Sequence, residues 1–326
     1  MSHPFPAQVD AAAVAVALGE AFAARDAFAD GDDDAAATNA GPNTNAGATL
    51  SALEQRCGDL DKHEKALLGN VVTPADVGVT YDMIGGLDEA KDALREAITY
   101  PLKYPALYEE GVAREACKGV LLFGPPGTGK TMLAKAVATE GGAAFLAVDA
   151  SVIENKWLGE SEKNAKAVFS LARKLAPCVV FFDEIDAVLA SREGGDDTSH
   201  GTLTSVKTTL MQEWDGLKTT RDRVVVIGST NRPYDLDEAV LRRLPRRVIV
   251  DLPDAKSREA ILDVTLTHNR LAPDVDLAAV AAKLDGYSGS DCKEVCREAI
   301  VRISQRRKKV ASFKPLLSRS FPARFG

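Results

Sequence analysis

The sequence predicts an α/β fold, in which a parallel sheet is sandwiched by helices and followed by a small all-helical subdomain. Three observations predict it. Between residues 79 and 253, apolar β-rich runs alternate with helical segments, the pattern of βα units around a parallel sheet. One of these runs leads directly into a glycine-rich loop that opens a helix. After Pro253 the strand signal ends and only helical segments follow.

The elements are predicted in order along the chain. The apolar runs predicted as strands are Val120 to Phe123, Ala144 to Val148, Val179 to Phe182, Val224 to Ile227 and Val248 to Leu252. The segments predicted as helices after the sheet are Lys256 to Thr267, Asp276 to Lys283 and Ser290 to Arg306.

Both ends of the chain are expected to lie outside the folded part. Residues 1–49 are rich in Ala, Asp and Asn and are predicted to be disordered, apart from a weak helix over 11–28. Residues 50–78 are predicted to form an exposed linker helix rather than a core element. Residues 307–326 form a basic tail whose prolines argue against a long helix.

Composition excludes several classes of protein. The formal net charge of −7 argues against a general nucleic-acid binder. No apolar run approaches the roughly 20 residues of a membrane span, and the acidic N-terminus does not resemble a targeting peptide. The five cysteines form no CxxC pair, so a zinc cluster is not expected. Cys292 and Cys296 lie one helical turn apart, which favours a core stripe.

The glycine-rich loop is the strongest chemical signal. Its backbone N–H groups can surround a polyphosphate at a helix N-terminus. Lys130 supplies a positive charge for the β- and γ-phosphates, and Thr131 offers a hydroxyl to Mg²⁺. The loop runs through Gly124, Pro125, Pro126, Gly127, Thr128, Gly129, Lys130 and Thr131.

Two more strand ends carry polar residues. Asp183 and Glu184 follow the run from Cys178 to Phe182, and carboxyl ends of parallel strands share one sheet edge. We expect Asp183 to help hold Mg²⁺ and Glu184 to polarise the attacking water as general base. Asn231 ends another apolar run and is expected to hold that water. Taken alone, Asn231 is better explained as a turn cap; the other two sites favour the functional role.

These motifs together resemble the AAA ATPase family over residues 79–305. The resemblance also includes Tyr81 to Leu87, Thr230 to Pro233 and Gly286 to Asp291. Within the family the chain is similar to the meiotic clade of katanin, spastin and fidgetin. It most resembles the outer-membrane ATPases that extract mislocalised tail-anchored proteins, with plant and algal spastin-like relatives nearest.

The resemblance implies a P-loop NTPase large domain over 79–253, with strand order 5-1-4-3-2, and a helical AAA lid over 254–306. It implies ATP and Mg²⁺ as cofactors, with Ile84, Gly85, Met132 and Gly289 contacting the nucleotide. It also implies that Arg242 and Arg243 are arginine fingers, with Arg246 a second candidate. The alternative for these arginines is a basic surface cluster.

The resemblance further places Lys156, Trp157 and Leu158 in a central pore loop. An exposed Trp157 would grip polypeptide, although packing under a neighbouring helix is the alternative. Many relatives carry a second aromatic residue where this chain has Leu158.

The function expected from the resemblance is ATP-driven translocation of polypeptides through a homo-hexameric pore, for the extraction of mislocalised membrane proteins. No specific nucleic-acid partner is expected. The expected location is cytoplasmic, and peripheral contact at the mitochondrial or another organelle outer membrane is compatible with it. Two alternatives stay open: a microtubule-severing ATPase of the katanin or spastin type, and a weakly active regulatory subunit. The acidic N-terminal region argues against binding of acidic tubulin tails.

Overall fold

The computed structural model describes residues 53–108, 117–153, 160–189, 200–219, 223–269, 271 and 275–302. The chain divides into two compact units, whose boundary in sequence lies between Asp251 and Leu252. The predicted disordered region over 1–49, the weak helix within it and the basic tail over 307–326 lie outside the described residues.

A six-stranded sheet forms the centre of the larger unit in the described part of the chain. Its strands are β1 (Val71–Val72), β2 (Gly119–Phe123), β3 (Ala144–Val148), β4 (Cys178–Phe182), β5 (Val224–Thr230) and β6 (Arg246–Ile249). Their order is β1-β3-β4-β5-β2-β6, with β1 antiparallel to β3 and every other pair parallel. With β1 left aside and the rest counted along the chain, this is the predicted order 5-1-4-3-2.

Helices flank these strands. In the larger unit they are α1 (Lys62–Leu67), α2 (Pro74–Val77), α3 (Asp88–Leu94), α4 (Tyr100–Lys103), α5 (Lys130–Gly141), α6 (Ala150–Ile153), α7 (Glu160–Lys174), α8 (Ile185–Leu189), α9 (His200–Thr219) and α10 (Glu238–Arg243). In the smaller unit they are α11 (Ala255–Leu266), α12 (Leu277–Lys283) and α13 over 289–302. Shorter helical turns lie at 53–57, 68–70, 81–83, 105–108 and 233–235, and a π-helical turn lies at 95–99.

Both faces of the sheet are buried, which explains the near-continuous apolar runs of its strands. Alternate strand residues enter two separate hydrophobic clusters, because side chains point to opposite faces along a strand. One cluster contains Leu146 and Val180 together with residues of α7 and α9. The other contains Phe145 and Val179 together with residues of α5.

The last strand lies earlier than predicted, at Arg246–Ile249 instead of 248–252. It pairs in parallel with β2, with Arg246 opposite Val120 and Ile249 opposite Phe123. Because β6 is an edge strand, its two exposed arginines, Arg246 and Arg247, are compatible with pairing. The apolar pattern detected Val248 and Ile249 but not the two arginines that begin the strand.

The prediction of an exposed linker helix over 50–78 is wrong. From residue 53 onward this segment contains two short helical pieces, a 3-10 turn, β1 and α2. The chain turns at Gly58, where φ is +71°, before Asp61 caps α1. The apolar spacing that suggested one face of an exposed helix instead serves the main core, where its leucines and valine are buried: Leu53, Leu60, Leu67, Leu68 and Val71.

Glu64 holds this N-terminal segment against α7. The residue is 3% exposed. Its carboxylate accepts hydrogen bonds from Ser170 Oγ at 2.6 Å, Lys174 Nζ at 2.6 Å and the Asp61 N–H at 2.8 Å. Burial raises the pKa of Glu64, but the hydrogen bonds from Lys174, Ser170 and Asp61 outweigh burial and lower the pKa below its ordinary value.

A Glu64→Gln variant should therefore lose about 2 kcal/mol of unfolding free energy at neutral pH, the scale of charge-assisted hydrogen bonds. Because the folded-state pKa is lowered, the charge stabilises the protein above the ordinary glutamate pKa. That contribution disappears as pH falls through the folded-state pKa. The gap between wild type and variant should shrink accordingly in urea unfolding at decreasing pH. Glu54→Gln, an exposed carboxylate nearby, is the control; equal stability of both variants would contradict the assignment.

The smaller unit has its own hydrophobic core, formed by α11, α12 and α13. Cys292 and Cys296 are buried in it, as the core-stripe prediction requires, and burial raises the pKa of each thiol to about 11. The buried Arg258 donates to Pro253 O at 2.8 Å and Ala281 O at 2.9 Å. These bonds tie the start of α11 to α12.

Candidate active site

The glycine-rich loop joins β2 to α5 as predicted. Two of its glycines have a specific structural reason. A Cβ atom on Gly124 would lie 2.1 Å from Val250 O, so only glycine allows this approach of the loop to the chain after β6. Gly129 has φ of +98° where it precedes α5, a conformation that glycine adopts without strain. The loop therefore ends at the N-terminus of α5, a helix of twelve residues. The first N–H groups of a helix have no partner within the helix.

Lys130 is buried against this loop. Its Nζ donates to Gly124 O at 3.0 Å and to Pro125 O at 2.7 Å. Thr128 Oγ1 also donates to Pro125 O, at 2.9 Å. Burial lowers the pKa of Lys130, and the Asp183 carboxylate partly opposes that effect. The ammonium is thus placed among backbone carbonyls, beside the N–H groups that begin α5.

Asp183 and Thr131 come together from different elements. Asp183 follows β4 and Thr131 lies in the first turn of α5, and Thr131 Oγ1 donates to Asp183 Oδ2 at 3.2 Å. A hydroxyl and a carboxylate are hard oxygen donors of the kind that Mg²⁺ prefers. The residues present therefore fit the predicted magnesium site.

Glu184 has an unusual backbone for a residue other than glycine, with φ of +47°. Its N–H donates to Asp183 Oδ1 at 3.1 Å, and its carbonyl accepts from the Ala187 N–H at 2.8 Å. The side chain is exposed at the carboxyl end of β4. Non-glycine residues in the left-handed region cluster at functional sites, where the surrounding structure holds them. This geometry leaves the Glu184 carboxylate open to a ligand.

The end of β5 lies beside the end of β4. Asn231 is exposed directly after β5. The preceding Thr230 is buried and donates from Oγ1 to Asp186 Oδ1 at 2.6 Å, while accepting from the Arg232 N–H at 2.9 Å. The Thr230–Asp186 bond joins the segment with Asn231 to the segment with Glu184. Sequence analysis missed this pair: both residues stand in the polar motifs, but neither motif shows that they touch.

The segment with Ile84 and Gly85, two of the predicted nucleotide contacts, lies beside the loop. Ile84 is buried in the cluster that includes α5, and Gly85 is partly buried. A Cβ atom on Gly129 would lie 4.0 Å from Leu87 Cδ1. Met132, the third predicted nucleotide contact, is 43% exposed in the first turn of α5.

The two predicted finger arginines differ in their surroundings. The Arg242 side chain is 72% exposed and pairs with Glu238 one turn earlier in α10, at 2.9 Å. The Arg243 side chain is 19% exposed; it forms an ion pair with Asp215 and donates to Ala239 O at 2.9 Å. Arg246, the second candidate, is exposed in β6. Arg242 is thus open to a ligand, whereas Arg243 is bound within its own chain.

The remaining predicted residues lie outside the described residues or in the smaller unit. Lys156, Trp157 and Leu158 lie outside the described residues. Gly289 begins α13 of the smaller unit. There Ser288 donates from its N–H and its hydroxyl to Asp291 Oδ2, at 2.9 and 2.7 Å. These bonds order the start of α13.

The geometry first defines a class of protein. A buried strand, a glycine loop closed by a lysine, and acidic residues at the adjacent strand ends form a P-loop nucleotide-binding site. Family models then place the chain within that class. Residues 120–252 match "ATPase family associated with various cellular activities (AAA)" and residues 274–316 match "AAA+ lid domain".

Individual proteins show the same likeness. The chain is 44% identical over 241 residues to the outer mitochondrial transmembrane helix translocase of Homo sapiens, covering 74% of this chain and 66% of the relative. It is 43% identical over 254 residues to katanin p60 ATPase-containing subunit A1 of Arabidopsis thaliana, covering 76% of this chain and 48% of the relative. It thus spans about two thirds, or less, of these relatives' lengths.

A solved structure extends the comparison to the fold. The FIGL-1 AAA domain in complex with ADP is similar with a TM-score of 0.65 and 35% identity, covering 78% of this chain and 84% of that domain. The chain belongs to the AAA family of ATPases. The predicted family, fold class and enzyme class are confirmed. Among the described residues, no helix is both long and apolar enough to cross a membrane.

Proposed function

We propose that this chain is the motor of an ATP-driven polypeptide translocase, and that the strand edge described above is its ATP-hydrolysing site. The observation that carries this proposal is the meeting of Lys130, Thr131 and Asp183 with an exposed Glu184, from elements far apart in sequence. One group to hold phosphate, two to hold a metal ion and one open carboxylate are what phosphoryl transfer to water requires.

Each residue then has a role. Lys130 and the first N–H groups of α5 hold the β- and γ-phosphates of ATP. Thr131 and Asp183 would hold Mg²⁺, which when bound neutralises charge on those phosphates. Glu184 accepts a proton from a water molecule. The oxygen of that water attacks the γ-phosphorus while the bond from the γ-phosphorus to the ADP oxygen breaks. Asn231 positions that water, and the Thr230–Asp186 bond keeps Asn231 and Glu184 at a fixed separation.

We further propose a homo-hexamer in which Arg242 completes the ATP site of the neighbouring subunit. Arg242 is the more suitable finger because its guanidinium is exposed, and a planar, always-charged group suits the charge that develops on a transferring phosphoryl group. Arg243 stabilises the end of α10 through its ion pair with Asp215 and its hydrogen bond to Ala239 O. A structure named for katanin self-assembly, 31% identical with a TM-score of 0.61, supports assembly as a property of such domains.

Arg242→Ala should lower ATP turnover by at least about a hundredfold without lowering the melting temperature. Arg243→Ala should lower both, because it also breaks the bonds to Asp215 and Ala239. Mixing Arg242→Ala with Lys130→Ala should restore part of the activity, since some interfaces then combine an intact finger with an intact loop. Turnover independent of protein concentration, with no rescue on mixing, would exclude a finger acting between subunits.

The predicted pore loop gives the test of translocation. We propose that Trp157, flanked by Lys156 and Leu158, grips a polypeptide in the centre of the ring. Trp157→Ala should retain ATP hydrolysis within about twofold while losing at least about tenfold in unfolding of a tagged model substrate, since aromatic anchors dominate such contacts. Leu158→Ala is the matched control with a smaller expected loss. Loss of folding and ATPase together would mark Trp157 as a core residue instead.

The client is proposed to be a membrane protein inserted in the wrong membrane, because relatives at 44% identity are named transmembrane helix translocases. Action at an organelle surface, by peripheral contact, follows from that proposal. Severing of microtubules is the second candidate, supported by the 43% identity to a katanin subunit. Extraction of a helix-anchored reporter from liposomes, beside a microtubule-severing assay on the same preparation, decides between them. Activity in neither assay would favour a regulatory subunit.

A further inference from the structure

We propose that Lys91 is a positioning residue for recognition of the nucleotide base, an inference that rests on the proposed ATP site. Lys91 lies on α3 and is 8% exposed. Its Nζ donates to the backbone oxygen of Ile84 at 2.6 Å. Its ion-pair partner Asp88 is farther, at 3.7 Å, with a side chain that is 88% exposed. The ammonium is therefore committed chiefly to one peptide carbonyl.

A buried ammonium is costly unless it is well bonded, so this arrangement needs a reason. A methionine would fill the same position without desolvating a charge. What the lysine adds is an orientation for the peptide between Ile84 and Gly85. Because a trans peptide is planar, its C=O and its N–H point in opposite directions. Holding Ile84 O against Lys91 therefore directs the Gly85 N–H away from α3.

The Gly85 N–H is available for a ligand. The Ile84 N–H is already donated to Tyr81 O at 3.1 Å. Within the described part of the chain, the Gly85 N–H has no hydrogen-bond partner. The same segment lies beside the phosphate loop, since Leu87 Cδ1 is 4.0 Å from where a Cβ on Gly129 would stand. Lys91 thus presents one oriented donor next to the site of the triphosphate.

The other end of the segment is tied to the helix that follows the loop. The Tyr81 N–H donates to Glu140 Oε1 at 3.0 Å, near the end of α5. The buried Tyr81 hydroxyl pairs with Thr99 Oγ1 at 3.0 Å, and burial raises the pKa of Tyr81 to about 12. With Tyr81 fixed to α5 and Ile84 fixed to α3, the Gly85 donor has little freedom to turn.

An oriented N–H discriminates between purine bases. The N1 atom of adenine is an acceptor and can take a hydrogen bond from Gly85. The N1 atom of guanine carries a hydrogen, so two donors would face each other and leave a polar group unsatisfied. Lys91 should accordingly matter for the preference for ATP over GTP more than for the chemical step.

The test compares ATP and GTP as substrates of the full chain. Lys91→Met should raise KM for ATP about tenfold, leave kcat within about twofold, and lower the ATP/GTP ratio of kcat/KM about tenfold, as for a lost charged hydrogen bond. Lys91→Arg should keep that ratio within about threefold of wild type, because guanidinium can still donate. Lys103→Met, an exposed lysine of the same unit, is the matched control and should change nothing.

Several results would overturn the proposal. A Lys91→Met protein with a lower melting temperature but an unchanged ATP/GTP ratio would assign Lys91 to stability alone. If Lys91→Met does not fold, Lys91→Gln is used in the same comparison of ATP with GTP. Failure of both variants to fold would also assign Lys91 to stability alone. If wild type hydrolyses neither nucleotide, the proposed function fails instead. Binding of fluorescent ADP and GDP analogues to wild type and Lys91→Met then tests Lys91 separately, and equal selectivity in both would refute it.

Discussion

Glu184→Gln should still bind ATP but hydrolyse it at least about a hundredfold more slowly, the scale of a general-base contribution. Glutamine keeps the size and the neighbouring hydrogen bonds of the segment, including the N–H of residue 184 to Asp183 Oδ1. It cannot accept a proton from water. The Glu184 side chain is exposed and follows β4, whereas the phosphate loop follows β2. We therefore expect that the charge of Glu184 is not needed to hold the nucleotide.

Two measurements on one preparation check this expectation: binding of a fluorescent ATP analogue and release of phosphate under single-turnover conditions. Glu89→Gln, an exposed carboxylate on α3, is the control and should match wild type in both. Phosphate release by Glu184→Gln at the wild-type rate would remove Glu184 from the role of general base. Loss of ATP binding would instead show that the Glu184 carboxylate contributes to binding of ATP before the chemical step.

Lys130→Ala should weaken ATP binding at least about a hundredfold, because the variant loses the charge-assisted hydrogen bond from a buried ammonium to phosphate. The loop would also lose the two bonds by which Lys130 holds Gly124 O and Pro125 O. Lys135→Ala, five residues farther along α5, is the matched control. Isothermal titration with ADP and with ATP measures the effect. Wild-type affinity in Lys130→Ala would contradict the assigned role.

The pKa of Lys130 adds a second readout. Burial lowers that pKa, and the ammonium is the form that binds phosphate. The affinity of the wild-type protein for ATP should therefore fall as pH rises. This fall should begin at a lower pH than the pH at which an exposed lysine loses its charge. The Lys130→Ala protein should lack this step. A wild-type affinity that stays flat across the alkaline range would show that Lys130 does not carry the pH dependence.

The strand order was predicted from the family resemblance. The sequence by itself determined the class of fold and the phosphate loop. These features depend on local patterns: buried parallel strands read as apolar runs, and a loop that binds phosphate needs glycines at set positions before a lysine. The carboxylates after β4 and Asn231 after β5 were predictable for the same reason, because each follows directly from a recognisable strand.

Only the tertiary structure decided the features that depend on contacts between distant segments. The leucines from Leu53 to Leu68 look like one face of a solvent-exposed helix, but the main sheet buries them. Arg242 and Arg243 are chemically identical neighbours, and the bonds of Arg243 to Asp215 and Ala239 O separate a bound guanidinium from an open one. Lys91 reads as an ordinary helix-surface lysine until Ile84 O is found within 2.6 Å of its ammonium. A sequence pattern records the type and spacing of residues, whereas burial and hydrogen-bond partners depend on which segments the fold brings together.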